Sequence, residues 1–155
     1  QLDRFLLKIL VTYPNKSELM EIVERTTSSE QPKIEHVVDR NEILEIKSAA
    51  SNVLVAPHVQ DFAIQLVLAT QPGNEHGHQA AKRYIRYGSS PRGAQALIQG
   101  SRVRALMRSR LNISVEDIRA LSLSALRHRI ILNFDAHAEG KTPDNVLQEI
   151  LESLS

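Results

Sequence analysis

The stretch Tyr87-Gly88-Ser89-Ser90-Pro91-Arg92-Gly93-Ala94 places a lone arginine at the start of a helix. Ser89 or Ser90 can cap that helix, and Pro91 suits its first position because the missing N–H would be unpaired there anyway. Arg92 then sits at the partially positive end, where it opposes the helix dipole by roughly a few tenths of a kcal/mol. One reading is a surface arginine carrying that small cost. The other is that Arg92 and the free backbone amides both face an anion, which reverses the sign of the effect. On that second reading Gly93 and Ala94 leave room for a bulky ligand. The residue types alone leave both open.

Three other groupings could do chemistry and fall short of it. Gly88 and Gly93 have the spacing of a phosphate-binding loop, but Ala94-Gln95 stand where Lys and Ser/Thr are needed. Gly140-Lys141-Thr142 follows an apolar run, yet the loop's first glycine falls on Asp135, whose carboxylate would repel phosphate. It reads as a turn before a tail helix. His76 and His78 have metal-ligand spacing, but no further ligands cluster with them to fill a four-coordinate site. No metal site and no self-contained active site are expected.

The elements that must hold Arg92 are mostly helical. Aromatic residues are 4% of the chain against 42% apolar overall, a balance that favours Leu, Ile, Val and Ala packed in helices. Phe5–Pro14 has the β-branched, continuously apolar character of a buried strand. Asn15 to Glu18 is a capping box, and a polar stretch from Arg25 to Lys33 separates its helix from one beginning near Asn41. Val53 and Val55 alternate as in a very short strand, and Pro57 opens an amphipathic helix. Helical signals resume at Gln79 and pause at Gly88, and a helix from Pro91 to about Arg108 is apolar on several sides. Ser114 to Asp117 caps another helix, Leu126–Leu132 continues the helical character, and Pro143 starts a tail helix. The expected fold is mainly α: a compact helical bundle preceded by one short N-terminal strand.

The net charge of +1 hides an asymmetry. Residues 79–132 hold 11 Lys/Arg against 2 Asp/Glu, a block of +9. Such a block is a solvated face, a nucleic-acid surface or a wall turned toward phosphates. Absence of cysteine excludes disulfides and Cys-ligated zinc and is compatible with a reducing compartment. No apolar run is long enough to span a membrane and no export signal is present, so the reading is cytoplasmic. The chain opens on Gln1 and reads as a piece of something longer.

The segments QLDRFLLKI, HVQDFAIQLVLATQP, YGSSPRGAQAL and ISVEDIRALSLSALRHRIIL, in this order and separation, resemble the carboxy-terminal part of MoxR-type AAA+ ATPases over nearly all of residues 1–140. The resemblance implies that residues 1–14 are the last strand of a nucleotide-binding core and residues 15–155 its helical lid. Walker A and Walker B segments would precede Gln1. Arg92 matches the lid's sensor-2 arginine, which approaches the γ-phosphate, with Ser90 and Pro91 at the same helix start. Arg4 matches an arginine finger acting in trans on the neighbouring subunit's nucleotide. ATP and magnesium are implied for the parent, and none for this stretch alone, which should be inactive. Implied partners are its own core, neighbouring subunits of a hexamer, and von Willebrand A-type proteins, in chaperone-like remodelling or maturation of a client.

The alternative from another class is a helical nucleic-acid-binding module using the 79–132 block, Arg102, Arg104, Arg108 and Arg110 included. Against it stand the lack of interleaved aromatics for base stacking and of a recognition-helix motif, so nucleic acid is not the expected partner.

Overall fold

The structure is a computed structural model and describes residues 1–28 and 35–154. In order along the chain lie a 3-10 turn at Leu2–Arg4, then α1 (Lys16–Thr27), α2 (Arg40–Ser51), α3 (Pro57–Ala69) and α4 (Gln79–Tyr84). These are followed by β1 (Ile85–Tyr87), α5 (Pro91–Met107), α6 (Val115–Leu126), β2 (Ile131–Leu132), α7 (Phe134–Ala138) and α8 (Pro143–Ser153). The mainly α expectation is met.

Local signals set most helix starts. Asn15 with Glu18, and Ser114 with Asp117, form reciprocal capping boxes, each satisfying two backbone donors that the helix leaves orphaned. Pro57, Pro91 and Pro143 each occupy the first turn of a helix. The second helix begins slightly before Asn41, because Asp39 caps it and Glu42 returns the bond.

α5 lies at the centre. It packs against α2, α3 and α6, and it buries Ala96, Leu97, Ser101 and Ala105. Leu66 of α3, Ile118 and Leu126 of α6, and Val146, Leu147 and Ile150 of α8 complete a core fully shut from solvent. Outside it, α1 buries no residue and α2 buries Ala50, leaving Met20, Ile43 and Ile46 exposed. The polar stretch expected between these helices lies partly outside the described residues. Among the described residues, no helix is long and apolar enough to cross a membrane.

Two expectations need correction. Phe5–Pro14 forms no strand; beyond the 3-10 turn the segment is irregular, with Ile9 and Val11 largely exposed. A strand needs a neighbour to pair with, and here the backbone is met by helix residues instead: Lys8 N–H donates to the Ser124 carbonyl at 2.8 Å. The second correction concerns two places read as helix. Ile85–Tyr87 and Ile131–Leu132 pair antiparallel, Ile85 opposite Leu132 and Tyr87 opposite Ile131, with an irregularity between. Short apolar runs fit either state, and tertiary pairing decides. The expected short strand at Val53–Val55 is reduced to a single bridge, with Leu54 N–H donating to Leu111 O and Ile113 N–H to Leu54 O.

Candidate functional site

The start of α5 is held from below by the end of α3. Ser89 N–H donates to Thr70 Oγ1 at 3.0 Å, and Gln71 Nε2 donates to Ser89 O at 2.6 Å. Packing here is tight enough to explain two glycines. A Cβ on Gly88 would stand 2.4 Å from Thr70 O, and one on Gly93 would stand 2.1 Å from Ser89 Oγ. Gly93 is therefore small so that α5 can close on Ser89 and Leu126, not to admit a ligand. Ala94 lines a separate cleft of about 380 Å³ between α3 and α5. The first-turn amides are also spoken for, Arg92 N–H by Ser90 Oγ (3.2 Å) and Gly93 N–H by Ser90 O (2.8 Å).

What faces this helix end is a carboxylate from the far end of the chain. Ser90 Oγ lies 3.0 and 2.9 Å from the two oxygens of Asp3, and Arg92 Nη1 donates to Asp3 Oδ2 at 3.1 Å. On the other side Arg129 Nε stands 3.3 Å from Asp3 Oδ1, at ion-pair distance. The anion that offsets the misplaced arginine is thus Asp3, in the geometry that a helix start favours. Burial pushes the Asp3 carboxyl up, but the bonds from Ser90 and Arg92 and the charge of Arg129 outweigh it and hold the group below its usual value.

The 3-10 turn carrying Asp3 and Arg4 is strapped to the end of α6 by three consecutive residues. Arg129 donates through Nη2 to Asp3 O (3.2 Å) and Phe5 O (2.7 Å), and through Nη1 to Leu6 O (3.2 Å) and the Ala125 carbonyl. Its side chain is 2% exposed, and burial draws its pKa below the ordinary guanidinium value while Asp3 opposes the shift. His128 Nε2 lies 2.9 Å from Phe5 O, and Arg127 Nη1 donates to Lys8 O at 3.2 Å. Arg127 is itself paired with Asp144 of α8 at 2.9 Å.

Between the turn and the first two turns of α5 opens a cleft of about 360 Å³. Asp3, Arg4, Arg92, Gln95, Gln99 and Arg129 stand on its walls. Arg4 and Arg92 therefore share one cleft. Arg92 is more than half exposed and spends one N–H on Asp3, so its fork keeps donors for another acceptor. Arg4 is exposed, and its side chain makes no hydrogen bond or ion pair among the described residues. Of the three guanidinium groups on these walls, those of Arg4 and Arg92 keep donors that an anionic group could accept, while buried Arg129 spends its own on backbone carbonyls. Nothing on these walls resembles a phosphate loop or a base pocket.

Much of the basic block is committed elsewhere. Arg104 and Arg110 pair with Asp117, Arg83 with Glu139 and Arg127 with Asp144, while Arg119 donates to Leu151 O and Leu154 O and stacks on Phe62. With Arg92 and Arg129 added, at least seven of the eleven basic residues have partners within the fold, so much of the +9 block is balanced by carboxylates and carbonyls of the chain itself. The other groupings resolve as structure. His78 Nδ1 caps α4 by accepting from Ala80 N–H, and Thr142 caps α8 behind Gly140, whose φ is +66°. Among the described residues no acidic, His or Cys cluster could hold a metal ion.

Sequence reasoning singled out Arg4, Ser90, Pro91 and Arg92, and passed over Asp3 and Arg129. Asp3 stood inside the Leu-Asp-Arg-Phe segment that supplied Arg4. Arg129 lies in Leu126–Leu132, whose pattern continues the helical character, and its lone signal is a charge directly before apolar Ile130 to Leu132.

Residues 78–150 match the family model of the AAA lid domain. Along 155 residues the chain is 30% identical to Chaperone MoxR1 of Mycobacterium tuberculosis, covering 100% of this chain and 41% of that protein. It is 26% identical to the uncharacterized protein YeaC of Bacillus subtilis, covering 99% and 46%. A crystal structure of a "putative ATPase" from Cytophaga hutchinsonii superposes with a TM-score of 0.87 at 33% identity, covering 97% of this chain and 46% of that one. The chain spans less than half the length of each. The match over residues 78–150 and the helical fold define a class first, the AAA lid domain. Within that class the chain belongs with the MoxR-like AAA+ proteins.

Proposed function

We propose that residues 15–155 act as the lid of a MoxR-like AAA+ ATPase and residues 1–14 as the end of its nucleotide-binding core, coupling ATP binding and hydrolysis to chaperone-like remodelling of a client. The observation that carries this reading is the placement of Arg4 and Arg92 on one cleft, with donors of both unspent. A phosphate brought there meets both, whichever subunit supplies it. Because they share the cleft, a nucleotide reached in trans by Arg4 is reached in trans by Arg92 as well. Arg92 would hold the terminal phosphate through its planar fork, and Arg4 would offset charge developing as the phosphate leaves. The phosphate loop and magnesium ligands belong to the core, as do the contacts that would build a hexamer in the cytoplasm. The similarity to a protein named as a chaperone supports remodelling as the output, and a von Willebrand A-type protein is the partner class that the sequence resemblance implies.

The test uses the full-length protein. Arg92→Ala should lower steady-state ATP hydrolysis by roughly ten- to a thousandfold, the scale of losing one charge-stabilising group from a phosphoryl-transfer site. Arg92→Lys should recover part of it, because an ammonium lacks the fork. Mixing Arg4→Ala subunits with hydrolysis-dead subunits that keep Arg4 should restore some turnover if the arginine acts across an interface. Unchanged turnover in Arg92→Ala, with an unchanged melting temperature, sinks the reading.

A further inference from the structure

We infer that Asp3 is the positioning residue that aims Arg92 into the cleft it shares with Arg4, and that buried Arg129 is the anchor that holds Asp3 in place. The inference rests on the reading of Arg92 as a phosphate ligand. It begins with an imbalance among the three side chains. Arg129 is 2% exposed, Asp3 30% and Arg92 57%. A buried guanidinium needs a counter-charge and acceptors for its N–H groups. Arg129 has Asp3 for the charge and four backbone carbonyls for the donors, at residues 3, 5, 6 and 125. Asp3 is thus fixed from behind by a group that cannot leave, and from the side by Ser90 Oγ. Arg92 is held by a single bond to a carboxylate that does not move with it. An exposed arginine otherwise samples many rotamers, and ordering it at the moment of binding costs entropy. One fixed acceptor on its Nη1 removes much of that freedom and leaves the remaining donors toward the cleft. The same carbonyl contacts fix the turn that bears Arg4, so both arginines are referenced to one buried cation.

The experiment is done on the 155-residue chain with inorganic triphosphate as probe, titrated by NMR at constant ionic strength. Nε–H relaxation of Arg92 should show an ordered side chain in the wild type. In Asp3→Asn it should fall to the level of exposed Arg108, with partial recovery in Asp3→Glu. A double-mutant cycle then separates aim from charge. Arg92→Ala should weaken triphosphate binding about fivefold when Asp3 is present and less than about twofold in the Asp3→Asn background. A purely structural Asp3 would leave the two losses equal, and equal losses overturn the inference. If Arg92→Ala changes nothing even with Asp3 present, the phosphate reading of Arg92 is what fails. Arg92 order in Asp3→Asn then decides the positioning claim, and unchanged order rejects it. Arg129→Lys, which keeps the charge but not the fork onto the carbonyls, should loosen amide-exchange protection at residues 4–8 together with Arg92. Loosening at neither place also rejects it.

Discussion

Two carboxylates in this molecule each stand between two arginines and beside a serine that caps a helix. Asp117 lies in the first turn of α6 with Ser114, bound by both N–H groups of the Arg110 fork at 2.8 and 2.7 Å and with Arg104 Nε at 3.2 Å. Asp3 lies before α5 with Ser90, between Arg92 and Arg129. The first site is closed. Asp117 is 1% exposed, and its acceptors are filled by Arg110 and by the N–H and Oγ of Ser114. The second is left open on one side, because Arg92 meets its carboxylate through a single bond and faces a cleft. The same three residue types therefore make a staple where the geometry is saturated and a candidate binding site where it is not. Counting ion pairs does not distinguish them; counting unspent donors does.

The comparison predicts unequal costs of breaking each site. Asp117→Ala leaves two arginines without their buried partner and should cost about 3 kcal/mol, seen as a fall of roughly 6–12 °C in Tm. Asp3→Ala should cost less, about 1–2 kcal/mol: Arg129 loses its counter-charge but keeps four carbonyl acceptors, and Asp3, itself 30% exposed, gave up less hydration than Asp117. Equal losses in thermal melts would mean that Asp3 is as much a staple as Asp117.

Acid should separate the sites in the same order. Burial pushes the Asp117 carboxyl up, but bonds from Arg110 and Ser114 prevail and its pKa in the fold lies below the usual carboxylate value. A carboxyl with a depressed folded pKa contributes stability that is fully present above its unfolded value, about 3.9, and is lost as pH falls through the folded one. Asp3 is depressed in the same direction. Urea melts from pH 7 down to pH 3 should therefore show a decline below about pH 4 that Asp117→Asn flattens most and Asp3→Asn less. A decline untouched by either variant would assign acid sensitivity to other carboxylates.

Smaller effects sharpen the functional half. Arg110→Ala should leave inorganic triphosphate binding within about twofold of wild type, since its fork is spent on Asp117. A loss matching that of Arg92→Ala would show that binding follows general positive charge and not the cleft. The smallest expected change is the Tm of Arg92→Ala, within about 2 °C of wild type, as an exposed pair contributes little. A larger drop would make Arg92 part of the packing.

The two sites also differ in how they were written into the chain. Asp117 and Ser114 are three residues apart, so the capping box could be read directly, as could Asn15 with Glu18 and the prolines that begin α3, α5 and α8. Helix-start signals act through backbone groups within one turn, which is why local spacing is enough to determine them. Ser90, Pro91 and Arg92 were legible for the same reason, and so was the oddity of a cation at that end. Asp3 meets Ser90 across 87 positions and Arg129 meets Phe5 across 124, and no local pattern encodes such a pairing. The β1–β2 pair and the unravelled Phe5–Pro14 segment belong with them, because a strand exists only where a partner strand is supplied. The sequence by itself determined where most helices start and, for α3, α5, α6 and α8, which faces they bury. Tertiary structure alone decided which carboxylate faces Arg92 and that Arg4 opens onto the same cleft, since both depend on which distant backbone carbonyls the buried cation Arg129 could reach.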